Sequence, residues 1–347
     1  MKICITGGAG FLGLHLATFL SKKGHDLILV DVAPFHTKEY PKPCRYIQAD
    51  IRNARIMQEV LQTRDVVIHA AAALPLWKKE DVFDINVKGT KQLLNASLHN
   101  RVKQFIFVSS TAVYGIPKKH PIVEDDPLQG VGPYGESKIR AEKLCSQFRK
   151  KGLIVTVVRP KTFIGSHRLG VFEILFDWIK DGKKIPMIGS GNNRYQLLDV
   201  DDLVEAIYLL ITAKNKKKVN TVFNVASESF GTVRTDLDGL FAYAHSSSKI
   251  LPTQAFLVKK TLWFLEKINL SPLYQWVYDT ADKDSYVSID RLIETLSWHP
   301  KYSNTQALIK AYRWYEKHYR EIKSSPAGIT HTSGWKQGAL SLVKKFM

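Results

Sequence analysis

The stretch that most constrains the fold is Thr6-Gly7-Gly8-Ala9-Gly10-Phe11-Leu12-Gly13. Before it, Ile3, Cys4 and Ile5 make the short apolar run of a buried parallel strand. After it, Phe11, Leu12, Leu14, Leu16, Ala17, Phe19 and Leu20 supply one apolar helical face. Strand, glycine turn and helix in that order predict the first unit of a parallel α/β sheet. Gly7, Gly10 and Gly13 are spaced for a dinucleotide: they allow a tight turn, close backbone approach to a pyrophosphate and close helix–strand packing, while the helix start at Phe11 and Leu12 turns free amides to the anion. A second strand, Asp26 to Val30, runs into Asp31, eighteen residues past Gly13, where a carboxylate can accept the adenosine ribose hydroxyls. That carboxylate would repel a ribose phosphate, and no Arg follows in Val32-Ala33-Pro34, so these residues point to NAD rather than NADP.

The pattern then repeats. A loop with Pro34, Pro41 and Pro43 leads to a strand over Arg45 to Gln48, closing in Ala49-Asp50-Ile51 with Asp50 placed to meet the adenine edge. A helix over Ala54 to Leu61 precedes a strand over Val66 to Ile68 and then His69-Ala70-Ala71-Ala72, small residues where a strand end lies against the cofactor. A helix around Asp84 to His99 precedes the apolar strand Gln104 to Val108, which ends in Ser109-Ser110-Thr111-Ala112-Val113-Tyr114-Gly115. Continuous apolar strands alternating with helices predict an α/β fold with a Rossmann-type doubly wound parallel sheet. Its ligands lie at the C-terminal strand ends, the edge that carries Val108 and Ser110.

Tyr134 and Lys138 open a helix that runs to Lys151. Four residues apart, they share one helical face, so the ammonium can lower the phenol from its ordinary pKa of about 10 and hold the cofactor ribose; Tyr134 is a candidate base. After the strand Leu153 to Val158 and Arg159-Pro160 the alternation thins. Helices are predicted over Val171 to Ile179, Asp202 to Ala213, Thr235 to Tyr243, Gln254 to Ile268, Ile289 to Leu296 and Thr305 to His318, with strands over Ile185 to Ile188 and Val222 to Val225. Residues 1–160 read as the cofactor-binding core with the catalytic residues. Residues 161–322 read as a smaller C-terminal α/β substrate lobe, some of whose segments return to the core, and 323–347 as a basic amphipathic tail.

The formal net charge of +18 is spread over lysine pairs and triplets such as Lys78-Lys79 and Lys216-Lys217-Lys218. A solvated lysine-rich surface, an anionic membrane surface and an anionic substrate all accommodate it. Nucleic acid is not an expected partner, because no recognised binding module or basic-aromatic cluster accompanies the charge. Cys4, Cys44 and Cys145 lack metal-ligand spacing, so no metal is expected, and no secretory signal precedes the first strand. A reducing cytoplasm is the expected compartment, and no apolar run approaches the ~20 residues that span a bilayer.

These residues together resemble the extended short-chain dehydrogenase/reductases, the NAD-dependent epimerase/dehydratase group. The resemblance is carried by the glycine turn, Asp31, Asp50-Ile51, His69-Ala70-Ala71, Asn86-Val87-Lys88-Gly89-Thr90, Ser109-Ser110, Val113-Tyr114-Gly115, Tyr134 with Lys138, Arg159-Pro160, Asp199-Val200-Asp201-Asp202-Leu203, Phe223-Asn224-Val225 and Leu296-Ser297-Trp298-His299-Pro300. It implies that Tyr134 takes a proton from a substrate hydroxyl, Ser110 hydrogen-bonds that oxygen, Lys138 assists the phenol and grips the ribose, and hydride passes to the nicotinamide. It adds Asn86, Val108, Arg159 and Pro160 to the cofactor contacts at Gly7, Gly10, Phe11, Leu12, Gly13, Asp31, Asp50, Ile51, Ala70, Ala71, Ala72, Tyr134 and Lys138. It further implies a homodimer through the helices around Glu80 to Asn100 and Gly135 to Lys151.

Departures from the group's patterns bear on the substrate. Thr111-Ala112 stand where dehydratases of this type have an Asp-Glu pair, which disfavours elimination of water. Leu74 stands where UDP-galactose epimerases have a lysine, and Thr162 where nucleotide-sugar enzymes commonly have Asn. Arg159, Arg168 and Arg194 are the candidate phosphate contacts. The stretch Ala255 to Tyr278 is apolar and aromatic, and the tail places Trp335, Ala339, Leu342, Val343 and Phe346 on one helical stripe with Lys336, Lys344 and Lys345 off it, the pattern of a helix lying in an anionic membrane interface. The expected activity is NAD-dependent epimerisation or oxidation of a secondary hydroxyl on a diphosphate-linked sugar, nucleotide- or lipid-linked, through a keto intermediate. The runner-up is a 3β-hydroxysteroid-like or other hydrophobic-alcohol dehydrogenase. A third reading, a non-catalytic NAD-sensing regulator, is disfavoured by the intact Tyr134 and Lys138. The expected location is the cytoplasm, with a peripheral place on the inner face of a membrane.

Overall fold

The computed structural model describes residues 1–75, 77–167, 169–267, 275–324 and Lys344. Arg168, the residues 268–274 of the aromatic stretch with the side chains of Trp276 and Val277, and the tail stripe from Trp335 to Phe346 lie outside the described residues. Lys344 sits against the body, its ammonium 2.5 Å from Asp177 and 2.6 Å from Asp181.

Eleven strands occur among the described residues: β1 (Lys2–Thr6), β2 (Asp26–Asp31), β3 (Arg45–Gln48), β4 (Val66–His69), β5 (Gln104–Val108), β6 (Val155–Pro160), β7 (Phe163–Ile164), β8 (Ile185–Ile188), β9 (Leu198–Asp199), β10 (Val222–Val225) and β11 (Ile250–Thr253). The helices of the first half are α1 (Phe11–Lys22), α2 (Ala54–Leu61), α3 (Lys79–Phe83), α4 (Thr90–His99) and α5 (Gly132–Lys150). Those of the second half are α6 (Phe172–Lys180), α7 (Val200–Thr212), α8 (Val233–Tyr243), α9 (Ala255–Lys267), α10 (Gln275–Thr280), α11 (Asp290–Leu296), α12 (Asn304–Lys317) and α13 (Tyr319–Ser324). Seven strands form one parallel sheet in the order β10-β6-β5-β4-β1-β2-β3. The order reverses between β4 and β1, the crevice where ligands of such sheets bind.

The strands are buried on both faces because both are covered. Leu14, Leu16 and Leu20 of α1 pack with Leu203, Ile207 and Leu210 of α7 on one side, and Met57, Leu93, Leu94, Ala141 and Phe148 cover the other. Burial of each such side chain contributes about 1.5–3 kcal/mol, which explains why β1, β4 and β5 read as unbroken apolar runs. A third apolar cluster, around Phe176, Leu240, Tyr312 and Tyr315, forms the core of the second half. There the two-strand sheets β11-β8 and β7-β9 stand apart from the main sheet, while β10 and α7 return to it.

The predicted helix around Asp84 to His99 is interrupted: residues Asp84–Gly89 form a π-turn between α3 and α4. Such a turn inserts an extra residue and re-aims its neighbours, and here it carries Asn86 and Gly89 inward. A Cβ on Gly89 would come 2.6 Å from the Ile51 side chain, so the glycine is what admits Ile51 beneath the turn.

Candidate active site

The glycine turn has the geometry of a cradle. Gly7 lies at φ +73°, and a Cβ there would stand 2.7 Å from the Ala71 amide nitrogen. A Cβ on Gly13 would stand 2.2 Å from the Gly7 carbonyl oxygen and 2.7 Å from the Gly8 Cα, so α1 could not approach the turn with any side chain at that position. On Gly10 the nearest atom would be the Gly7 oxygen at 3.1 Å and nothing else lies within 4 Å, so this side of the turn is open. Gly10 begins α1 with no side-chain cap, leaving the first-turn amides of Phe11 and Leu12 to meet an anion. Asp31 ends β2 beside the turn; its carboxylate accepts the amides of Ala9 and Ala33, both at 3.0 Å. These residues fit a dinucleotide's pyrophosphate and ribose.

Asp50 sits one strand further out, but its carboxylate is engaged. Arg52 donates to it from the backbone at 2.8 Å and from Nε at 3.0 Å, and also reaches Asp84. The Arg52 hydrogen bonds hold the Asp50 carboxyl below the usual carboxylate range. Ala70, Ala71 and Ala72 follow β4 as a half-buried strip, with the Ala70 amide bonded to the Thr6 carbonyl at 3.1 Å.

Beneath this strip lies a chain of hydrogen bonds whose polarity can be worked out. The Thr90 hydroxyl donates to the Asn86 carbonyl at 2.6 Å, so it must accept from His69 Nε2–H at 2.9 Å. Nδ1 then accepts from the Thr6 hydroxyl at 2.7 Å. Burial, with the Lys138 charge adding to it, pushes the imidazole down to about 3, so His69 is a neutral strut tying β1, β4 and α4. Asn86 accepts the Ala73 amide at 2.8 Å and donates to Ser137 Oγ at 3.0 Å; Ser137 in turn donates to the Tyr134 carbonyl at 2.7 Å. At 2 % exposure, Asn86 clamps the Ala70–Ala73 strip to α5.

The candidate catalytic residues Ser110, Tyr134 and Lys138 meet where β5 ends and α5 begins. Ser110 caps a short turn, accepting the Ala112 amide at 3.1 Å, and its hydroxyl lies near enough to the Tyr134 phenol to draw its pKa down. Lys138, 3 % exposed, donates to the Val108 carbonyl at 2.9 Å and stands 5.8 Å from the centre of the Tyr134 ring. Burial brings this ammonium down to about 8. The same burial pushes the Tyr134 phenol up to about 12, with Ser110 pulling the other way. The expectation that Lys138 lowers the phenol is not met in this geometry: the ammonium is turned to the Val108 carbonyl, and loss of solvent outweighs it.

Two of the three candidate phosphate arginines, Arg159 and Arg194, are among the described residues. Arg159, expected as a cofactor or phosphate contact, is 3 % exposed and consumed internally: its Nη2 is 2.6 Å from Glu142, its Nη1 donates to the Tyr114 hydroxyl at 2.7 Å and to the Glu124 carbonyl at 2.8 Å. Glu142 also accepts from Ser109 at 2.5 Å, and Tyr114 donates to Asn224 at 2.8 Å. A buried guanidinium requires such a partner set, and this network explains the Ser109, Tyr114, Arg159 and Asn224 motif positions as framework. Pro160 ends β6 opposite Val225. Arg194 is exposed and stacks over Phe230 and Tyr286, 4.6 and 4.7 Å from their ring centres. Arg168 lies outside the described residues.

Past β6 the fold brings together Thr162, whose hydroxyl is 3.1 Å from that of Tyr195, and Lys161, whose ammonium is 4.6 Å over the Tyr195 ring and 2.6 Å from Ser285 Oγ. Lys161 is 2 % exposed, burial brings it down to about 7, and no carboxylate pairs with it among the described residues. Thr111 is buried beside Ser110, and Leu74 is half-buried past the alanine strip. The Asp199-to-Leu203 segment is framework too: Lys310 bridges Asp199 and Asp201, at 2.7 and 2.6 Å, and Asp202 accepts the amides of Lys301 and Tyr302.

Residues 3–226 match the model of the NAD dependent epimerase/dehydratase family. The chain belongs to this family. Its cofactor is therefore NAD, consistent with the cradle and Asp31. Among relatives of the family, an uncharacterized protein of Sinorhizobium fredii is 31 % identical over 98 % of this chain and 84 % of its own length. The UDP-glucose 4-epimerase of Lacticaseibacillus casei is 36 % identical, covering 92 % of this chain and 98 % of its own. The crystal structure of UDP-glucose 4-epimerase from Thermotoga maritima superposes with a TM-score of 0.76 at 24 % identity, over 92 % of this chain and all of that one. This last likeness shows the fold.

Ser110, Tyr134 and Lys138 are the candidates that the sequence motifs supply. Lys161, Tyr195, Ser137 and Glu142 escaped the sequence reading. Lys161 did leave a signal: a lysine next to Pro160 at the end of a central strand stands where a solvated side chain has no room.

Proposed function

We propose that the protein is an NAD-dependent epimerase acting on a secondary hydroxyl of a diphosphate-linked sugar, with Ser110, Tyr134 and Lys138 as its catalytic residues. The observation that carries this reading is the convergence of Ser110, at the end of β5, with Tyr134 and with the Lys138 ammonium, 5.8 Å from the centre of the Tyr134 ring, on α5. NAD, when bound on the glycine cradle, supplies the acceptor and donor of hydride.

Tyr134 exchanges the proton of the substrate hydroxyl. Its phenol is protonated at neutral pH in the ligand-free protein, so the group that draws it towards ionisation bears on the rate: Ser110 by its hydroxyl, while Lys138, turned to the Val108 carbonyl, would hold the cofactor ribose. Ser110, beside the same phenol, would hydrogen-bond the substrate oxygen that exchanges its proton with Tyr134 and polarise it as a carbonyl. Neither Thr111 nor Ala112 carries an acid, which supports inversion over elimination.

The substrate's anionic group is read from Lys161. A buried ammonium over the Tyr195 ring, with no carboxylate partner among the described residues, favours a phosphate on that side, a role the sequence had assigned to arginines.

A panel of nucleotide- and lipid-linked sugars, followed at once by nicotinamide absorbance and by NMR at the sugar stereocentres, tests the proposal. Inversion without net NADH is expected. Stoichiometric NADH with a sterol or other lipid alcohol, and no inversion of any sugar, would replace it with the dehydrogenase reading.

A further inference from the structure

α9 presents an apolar face to solvent. Seven large hydrophobic residues are exposed among the described residues, and four of them stand on this helix: Phe256 at 66 %, Leu257 at 56 %, Trp263 at 49 % and Phe264 at 58 %. Their spacing, i, i+1, i+7 and i+8, puts them on one stripe, and the positions that continue it, i+4 and i+11, are Lys260 and Lys267. The lysines lie over the aromatics: Lys260 Nζ is 4.3 Å from the Phe256 ring centre and Lys267 Nζ 3.8 Å from that of Trp263. The opposite face holds the helix to the body through buried Leu262 and through Lys259, which bonds the Asp279 carbonyl at 3.0 Å and Asp282 at 2.5 Å.

We propose that this face of α9 seats the protein in the headgroup region of an anionic lipid bilayer. Trp and Phe at the level of the headgroups with lysines reaching past them to lipid phosphates is the chemistry of an interfacial helix. The charge of the chain, +18, adds a long-range attraction to such a surface. The same charge argues against a second copy as the occupant, since a twofold pairing of this face would set Lys260 and Lys267 against their own copies on two strongly cationic chains. No helix among the described residues is long and apolar enough to cross a membrane, so the mode is lying on the surface. Neither the substrate nor the reaction enters this inference.

The test is flotation of the full chain with vesicles of equal parts phosphatidylglycerol and phosphatidylcholine, and with pure phosphatidylcholine. Binding to the anionic vesicles, weakened by salt, is expected. The double variant Trp263→Ser/Phe264→Ser should lose at least about tenfold in partitioning. Lys260→Gln/Lys267→Gln should lose about fivefold per lysine and only on anionic vesicles. Circular dichroism and NAD content, unchanged in both variants, show that the fold is intact. Absence of vesicle binding, equal binding of wild type and variants, or a solution dimer that Trp263→Ser/Phe264→Ser dissociates would overturn the proposal.

Discussion

The Arg159–Glu142 pair offers a prediction whose size can be worked from the structure. Both side chains are buried, at 3 % and 7 % exposure, and Glu142 receives Nε at 3.0 and 3.2 Å, Nη2 at 2.6 Å and the Ser109 hydroxyl at 2.5 Å. Glu142→Gln keeps the shape but leaves one acceptor oxygen for these donors and turns an amide NH2 against the guanidinium. Removing one partner of such a pair costs ~3–5 kcal/mol. For 347 residues, ~2.1 cal/mol/K per residue gives an unfolding entropy of roughly 0.7 kcal/mol/K, so the loss is a fall in Tm of roughly 4–7 °C. Scanning calorimetry on the apo protein reads it. The double variant Glu142→Leu/Arg159→Met should be less destabilised than the single changes summed, because no uncompensated charge remains. A Glu142→Gln Tm within 1 °C of wild type, or an Arg159→Met variant that alters substrate KM with Tm unchanged, would refute the framework role and restore Arg159 as a ligand contact.

Two further predictions concern the cradle and the buried lysine. Gly13→Ala forces a Cβ to 2.2 Å from the Gly7 oxygen, so the turn must open; NAD affinity by calorimetry should fall at least tenfold, with a stability loss of ~1–3 kcal/mol. Lys161 has its folded-state pKa below the unfolded value of 10.5, so the cost of its burial is complete below pH 7 and fades as pH rises towards 10.5. Lys161→Met should therefore be more stable than wild type in urea, by a larger margin at pH 6 than at pH 9, while KM for a diphosphate-linked substrate rises; a margin independent of pH would contradict the buried ammonium.

The sheet was legible because burial on both faces forces its strands to be short, apolar and evenly spaced, as in Ile3 to Ile5 and Gln104 to Val108. The glycine turn was legible because backbone contact at Gly7 and Gly13 excludes every other residue type. What the sequence hid was the division of motif residues between chemistry and framework. Arg159 looked like an anion contact, and only the fold shows that Glu142, seventeen residues earlier on α5, and Tyr114 after β5 converge on it. The π-turn at Asp84–Gly89 left no trace in a helical pattern, since its neighbours on both sides are helical. The small sheets β7-β9 and β11-β8 rest on contacts between distant segments rather than on any local period.

The most direct test of the central claim is single-turnover reduction of bound NAD by substrate in wild type and Tyr134→Phe, with NAD content and Tm measured on the same samples. A loss of 10²–10⁴-fold in rate at unchanged NAD content and Tm is predicted. A Tyr134→Phe rate within about threefold of wild type, far short of that range, would contradict the assignment of Tyr134, with Ser110 and Lys138 around it, as the site of proton transfer.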